Sequence, residues 1–186
     1  MTLRVLGISG SLRNASLNSA LLRAAVDLAP ATMRVEVFDG LRDVPPYDGD
    51  LDTDTPPTAV ARLRHAIGSA DALLLSSPEY NYGVPGVLKN ALDWASRPVA
   101  TTVLRDKPVA IMGASPGNFG TVRGQLALRQ VLIPSGTHVV TRPEVLVFQA
   151  PARFDGGRLT DEVTAGLVTE LLGNLALLYR NTATPS

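Results

Sequence analysis

Apolar positions along the chain follow two rhythms. Leu3 to Ile8, Met33 to Phe38, Ala72 to Leu75 and Val109 to Met112 are short runs bounded by glycine, serine, proline or aspartate, the mark of strands. Between them the spacing becomes helical. Leu17, Ala20, Leu21, Ala24, Ala25 and Leu28 share one face of a predicted helix over 17–28, with Ser16 as its N-cap. Thr58 to Ser69, Pro85 to Trp94 and Val122 to Leu132 predict three more, and Pro85 suits a first turn. A fifth strand is expected within Val139 to Val147. Val163, Leu167, Leu171, Leu175 and Leu178 form the stripe of a last helix. Leu41 to Thr58, rich in Pro, Asp and Gly, predicts a long surface loop, and Asn181 to Ser186 a frayed tail.

Strands that are almost wholly apolar are buried on both faces, which requires a parallel sheet with helices on each side. Five strands favour the flavodoxin-like order 2-1-3-4-5 over a six-stranded sheet. The expected architecture is one α/β domain over 1–186, a three-layer sandwich around that sheet. Ligands of such sheets bind outside the carboxyl ends of the strands, where the strand order reverses. The loops after strands one, three and four therefore matter, and they have the least ordinary sequence in the chain.

The first loop offers Ser9, Ser11, Ser16 and Asn18 as donors and Arg13 as a cation, feeding a helix N-terminus. Together these suit an anion. Neither of the better-known phosphate loops is present: there is no G-x-x-x-x-G-K-[ST], and Gly7-x-x-Gly10 is not G-x-G-x-x-G. The second loop, Ser76 to Gly86, carries Tyr80 and Tyr82 among polar residues, a surface that suits a flat heterocycle with polar edges. The third, Gly113 to Gly120, has glycines at 113, 117 and 120, which let backbone approach a ligand closely.

The segments Gly10-Ser11-Leu12-Arg13 with Ser16 and Asn18, then Pro78-Glu79-Tyr80-Asn81 with Pro85-Gly86-Val87-Leu88-Lys89-Asn90-Ala91-Leu92-Asp93-Trp94, then Ser115-Pro116-Gly117, resemble the NADPH-dependent FMN reductase family. That family includes bacterial chromate and quinone reductases and related azoreductases. The resemblance runs in consistent order from the first strand to about Glu144. It implies a flavodoxin-like fold, tightly held FMN, NADPH or NADH as electron donor, and ping-pong transfer to a small acceptor. By the same resemblance Ser11, Arg13, Ser16 and Asn18, with Ser9, hold the FMN phosphate. Pro78, Glu79, Tyr80 and Asn81, with Tyr82, lie along the ring, and Ser115 and Gly117 lie near its other edge. Many members have serine where this chain has Gly83. Homodimers or homotetramers with flavin near the subunit interface are also implied. The flavin carries the chemistry, so no catalytic acid or base is assigned. Glu79 is expected to serve the ring through its backbone, with its carboxylate solvated or paired.

Composition narrows the alternatives. The chain has 17 Lys plus Arg against 17 Asp plus Glu, which argues against a nucleic-acid binder. No apolar run approaches the roughly 18 residues of a membrane span. Met1 to Ile8 does not read as a secretory signal, so the expected location is the cytoplasm. There is no cysteine, and the two histidines, His65 and His138, are far apart in sequence. No metal site is expected. Gly113-Ala114-Ser115-Pro116-Gly117 also fits the G-x-S-x-G elbow of a serine hydrolase. Pro116, however, lacks the N–H that the oxyanion hole needs, and no acid lies between Ser115 and His138. A non-enzymatic flavin-binding electron carrier is the remaining rival. Carriers of this fold tend to be acidic, which helps them dock on partners, and this chain is neutral.

Overall fold

The computed structural model describes residues 2–183. Strands β1 (Leu3–Ser9), β2 (Met33–Val37), β3 (Ala72–Ser76) and β4 (Pro108–Ala114) alternate with helices α1 (Leu17–Asp27), α2 (Thr58–Ser69), α3 (Gly86–Ala95) and α4 (Val122–Leu132). Then come β5 (His138–Val139), β6 (Val145–Val147), a small hairpin of β7 (Phe154–Asp155) and β8 (Arg158–Leu159), and α5 (Glu162–Ala183). The sheet order is β2-β1-β3-β4-β5, all pairs parallel, with β6 also paired to β4. Among the described residues no helix is long and apolar enough to cross a membrane.

The two-residue period of the strands builds two cores. Leu73, Leu75, Ile8 and Ile111 face α2, α3 and α4, where Leu63, Ile67, Leu88, Trp94 and Leu128 meet them. Ala72, Leu74, Val5 and Met112 face the other way, onto Leu21 and Leu22 of α1 and Val168, Leu171, Leu172 and Leu175 of α5.

Four details depart from the sequence reading. The fifth strand is in two pieces. Thr141, Arg142 and Pro143 interrupt it, and Pro143 has no N–H for a ladder. Carbonyls beside the gap are met from α4: Arg129 Nη1 donates to Val140 O at 2.9 Å and Gln125 Nε2 to Val145 O at 3.0 Å. The segment 41–57 is the expected surface loop, but it is fastened to α3. Trp94 Nε1 and Asn90 Nδ2 both donate to Pro45 O at 2.8 Å, and the Tyr47 ring meets Trp94 edge-on. On α5, Val163 is 70% exposed and drops out of the expected stripe; Leu171 and Leu175 are buried and Leu167 and Leu178 pack against the core, with Thr164, Val168 and Leu172 completing the buried face. Of the expected tail, Asn181 to Ala183 continue α5, while Thr184 to Ser186 lie outside the described residues.

Candidate functional site

The carboxyl ends of β1, β3 and β4 are tied together by the backbone. Gly10 N donates to Ser76 O at 2.8 Å, and Ser77 N to Met112 O at 2.9 Å. A Cβ at Gly113 would collide with Ser77 O and Thr121 Oγ1. Only glycine therefore lets β4 come this close to the loop after β3.

In the loop after β1, Ser16 caps α1 and accepts from Ser19 N at 3.2 Å. That cap takes Ser19 N, which leaves Leu17 N and Asn18 N as the first-turn groups of α1 without a partner within the helix, the kind an anion can meet. Ser9, Ser11 and Arg13 line a cleft of about 420 Å³ beside the end of β2. Ser9 Oγ lies 2.9 Å from Ser19 Oγ, and Ser11 Oγ accepts from Arg13 N at 3.4 Å. Arg13 is exposed and has no carboxylate partner among the described residues. Two further cations share this cleft: Arg23 from α1, and Arg42, whose Nη2 donates to Leu12 O at 2.7 Å.

The Asn18 side chain turns into the fold. The residue is 3% exposed. Its Nδ2 donates to Ala114 O and its Oδ1 accepts from Ala114 N, both at 2.9 Å. Ser76 Oγ donates to Asn18 O at 2.9 Å. These bonds fasten α1 to β3 and β4 and place the Asn18 amide behind the loop, outside the cleft that Ser9, Ser11 and Arg13 line.

The loop after β3 makes a two-residue turn. Tyr80 N donates to Gly83 O at 3.2 Å and Gly83 N to Tyr80 O at 2.9 Å. Asn81 and Tyr82 between them have φ of 50° and 64°. Pro78 is buried, while Tyr80 and Tyr82 are 48% and 68% exposed. The Glu79 carboxylate is paired: Oε1 accepts from Arg123 Nε at 2.7 Å and Oε2 from Gly124 N at 2.9 Å. Glu79, Asn81, Tyr82, Ser115, Gly117, Phe119 and Arg123 line a second cleft of about 440 Å³. Ser115 Oγ accepts from Gly117 N at 3.1 Å, and Gln149 N donates to Gly117 O at 2.9 Å, which pins the third loop to the turn after β6.

Sequence reasoning missed Arg123, Arg42 and the 148–150 turn. Arg123 had one signal: a cation in the first turn of a helix opposes the macrodipole and so calls for a carboxylate nearby. The hydrolase reading fails on placement. His138 pairs with Pro108 at the start of β4, whereas Ser115 follows its end. A strand of that length separates them by about 23 Å.

A flavin nucleotide asks for an anion site at one end and a flat surface with backbone donors at the other. The donor set fits it: serine hydroxyls, an unpaired arginine and a helix N-terminus after β1, then tyrosines and glycines after β3 and β4. The family model for NADPH-dependent FMN reductase matches residues 3–152. The chain is 47% identical over 179 residues, 96% of each chain, to an NAD(P)H-dependent FMN reductase of Pseudomonas aeruginosa. It is 42% identical over 180 residues to an NADPH:quinone oxidoreductase of Arabidopsis thaliana, covering 93% of this chain and 90% of that one. The structure of FerB, a flavoenzyme NAD(P)H:(acceptor) oxidoreductase from Paracoccus denitrificans, superposes with a TM-score of 0.87 at 35% identity, covering 97% of this chain and 98% of that one. The fold and these relatives define an oxidoreductase of the FMN- and nicotinamide-dependent class. The chain belongs to the NADPH-dependent FMN reductase family.

Proposed function

We propose that the chain passes electrons from NADPH or NADH to a small acceptor, such as a quinone, free flavin, azo compound or chromate, with donor and acceptor using one cleft in turn. The observation that carries this reading is the convergence of three loops at the switch point, where a cleft lined by serines and Arg13 follows β1 and a second cleft bordered by Tyr82 follows β3 and β4. Ser11, Arg13 and Ser16, with Ser9 and the α1 N-terminus, hold the phosphate. Pro78, Glu79, Tyr80 and Asn81 present backbone along the ring, with Tyr82 at its rim. Ser115 and Gly117 bound the other edge. Bound there, FMN supplies reversible two-electron chemistry, while the protein binds and orients it. No side chain is asked to move a proton, because Glu79, the one carboxylate at the ring loop, is committed to Arg123 and Gly124.

An oligomer fits the same picture. Tyr82, Phe119, Leu126 and Ile133 are 68%, 68%, 53% and 71% exposed along α4 and the cleft rim. We read this apolar collar as the contact face of a cytoplasmic homodimer or homotetramer.

The test is a titration followed by kinetics. The purified chain should take up about one FMN per chain, and excess NADPH or NADH without oxygen should bleach its absorbance directly. Initial rates against a panel of quinones, azo dyes and chromate should give parallel double-reciprocal lines. A chain that FMN neither colours nor stabilises is not a flavoprotein. One that binds FMN but is reduced only by a partner protein is an electron carrier.

A further inference from the structure

The turn at Asn81 and Tyr82 is one that its own residues do not favour. Two consecutive positive φ angles define the tight hairpin turn that Asn and Gly adopt readily. Tyr82, a bulky residue at φ 64°, is an outlier there. What holds it lies outside the loop. The Arg123 guanidinium sits 3.8 Å from the centre of the Tyr82 ring and 5.2 Å from that of Phe119. The same guanidinium grips the Glu79 carboxylate through Nε at 2.7 Å and Nη2 at 2.6 Å. Gly124 N supplies a third bond to that carboxylate at 2.9 Å. The Glu79 side chain is only 6% exposed, so the pair is shielded from water on the carboxylate side. Arg123 stands in the first turn of α4, where the helix dipole disfavours a cation. Glu79 offsets that cost.

We propose that Arg123 is a positioning residue for flavin: through Glu79 and Tyr82 it fixes the backbone of residues 79–83 in the shape that meets the ring. This rests on reading that segment as the ring-binding loop. Arginine suits the task because a planar fork pairs with a carboxylate in its plane and stacks on aromatic rings with its faces. Lysine offers the charge without the second contact. Glycine at 124 suits the latch, since a Cβ there would lie 3.2 Å from Glu79 Cβ, tighter than ordinary contact.

The test uses the full chain. Amide hydrogen exchange on the flavin-free protein reads the loop itself. Titrations with FMN and with riboflavin, and the midpoint potential of bound FMN, read its effect on the ring. Arg123→Ala should speed exchange at Tyr80 and Gly83 by about tenfold or more, while β3 and β4 stay protected. It should weaken FMN and riboflavin by the same factor, about tenfold, because the loss is at the ring and not the phosphate. The midpoint potential should shift, since backbone donors near the ring tune it. Arg123→Lys should fall between wild type and Arg123→Ala in all three measurements. Unchanged exchange and unchanged riboflavin affinity in Arg123→Ala overturn the latch. So does loss of protection across the whole sheet, which would make Arg123 a global stabiliser. A wild type that binds neither flavin overturns the flavin reading itself, and with it the latch's role toward the ring.

Discussion

In the loop after β1 the charged side chain, Arg13, is exposed and unspent, and the hydroxyl of Ser11 lines the same cleft. In the loop after β3 the charged side chain, Glu79, is turned inward and consumed by Arg123 and Gly124. On the reading proposed above, the first loop meets its ligand with side chains supplied mainly by its own segment, and the second with backbone whose Glu79 is bonded to a residue 44 positions away. Polar residues in a binding loop therefore divide into those that meet the ligand and those that build the surface, and composition does not separate them. Asn18 and Arg13 illustrate this within one loop, one sealed and the other open.

The largest effect should come from the sealed member. Asn18→Ala leaves Ala114 N and O buried without partners, at a cost of about 3 kcal/mol or more in stability. Denaturant unfolding should show that loss, while the ratio of FMN to riboflavin affinity in the remaining folded protein stays at the wild-type value. A change in that ratio would return Asn18 to the phosphate.

Arg13→Ala should do the converse. Stability holds, and FMN affinity falls by roughly tenfold to a hundredfold, the worth of about 1.5–3 kcal/mol for a charge-assisted bond. Riboflavin, which lacks the phosphate, should bind as before. Arg23 and Arg42 beside the same cleft set the low end of that range. Fluorescence titration at fixed ionic strength reads both, and equal losses for the two ligands would make Arg13 a scaffold residue.

Asp161 is a control with no part in either loop. It precedes α5, and hydrogen bonds from Thr164 Oγ1 at 2.5 Å and Thr164 N at 2.9 Å hold its carboxyl below the usual range, helped by Arg153. A carboxyl with a depressed folded pKa stabilises above its unfolded value and loses that contribution as pH falls through the folded one. Asp161→Ala should thus cost about 1 kcal/mol at neutral pH, and the gap to wild type should close below about pH 4. Flavin affinity should not respond. A gap that stays constant down to acid pH would mean that the Asp161 side chain caps α5 independently of its charge.

The smallest effect is expected at Ser115→Ala. Its hydroxyl accepts one bond from Gly117 N, so removal should lower flavin affinity by a few-fold at most and leave most reductase activity. Abolished turnover would give Ser115 a role in chemistry.

The two long middle helices, 58–69 and 122–132, were legible residue for residue, because their apolar spacing and the breaks around them agree. The strand order was legible because buried parallel strands admit few arrangements. The fifth strand was legible only as a region, since the apolar run Val139-Val140 and the run Val145-Leu146-Val147 carry no mark of the break except Pro143. Val163 entered the wrong stripe because spacings of four and of three both keep a helical face, and only packing on β4 and β6 selects Val168 and Leu172. In the candidate site, the loops could be located from the strand ends, whereas the bonds of Asn18 to Ala114 and of Glu79 to Arg123 are contacts made by the fold.

Trp94 is the chain's single tryptophan. It lies fully buried on the helix that leaves the ring loop, with its indole N–H bonded to Pro45 O and Tyr47 against its face. The molecule therefore carries one indole reporter, set at the seam between α3 and the 41–57 segment. Its emission should be that of an indole shut off from solvent, and lifting that segment should shift it to the red while the sheet still holds. Flavin absorbs where indole emits, so one emission band reads both the seam and the occupancy of the cleft.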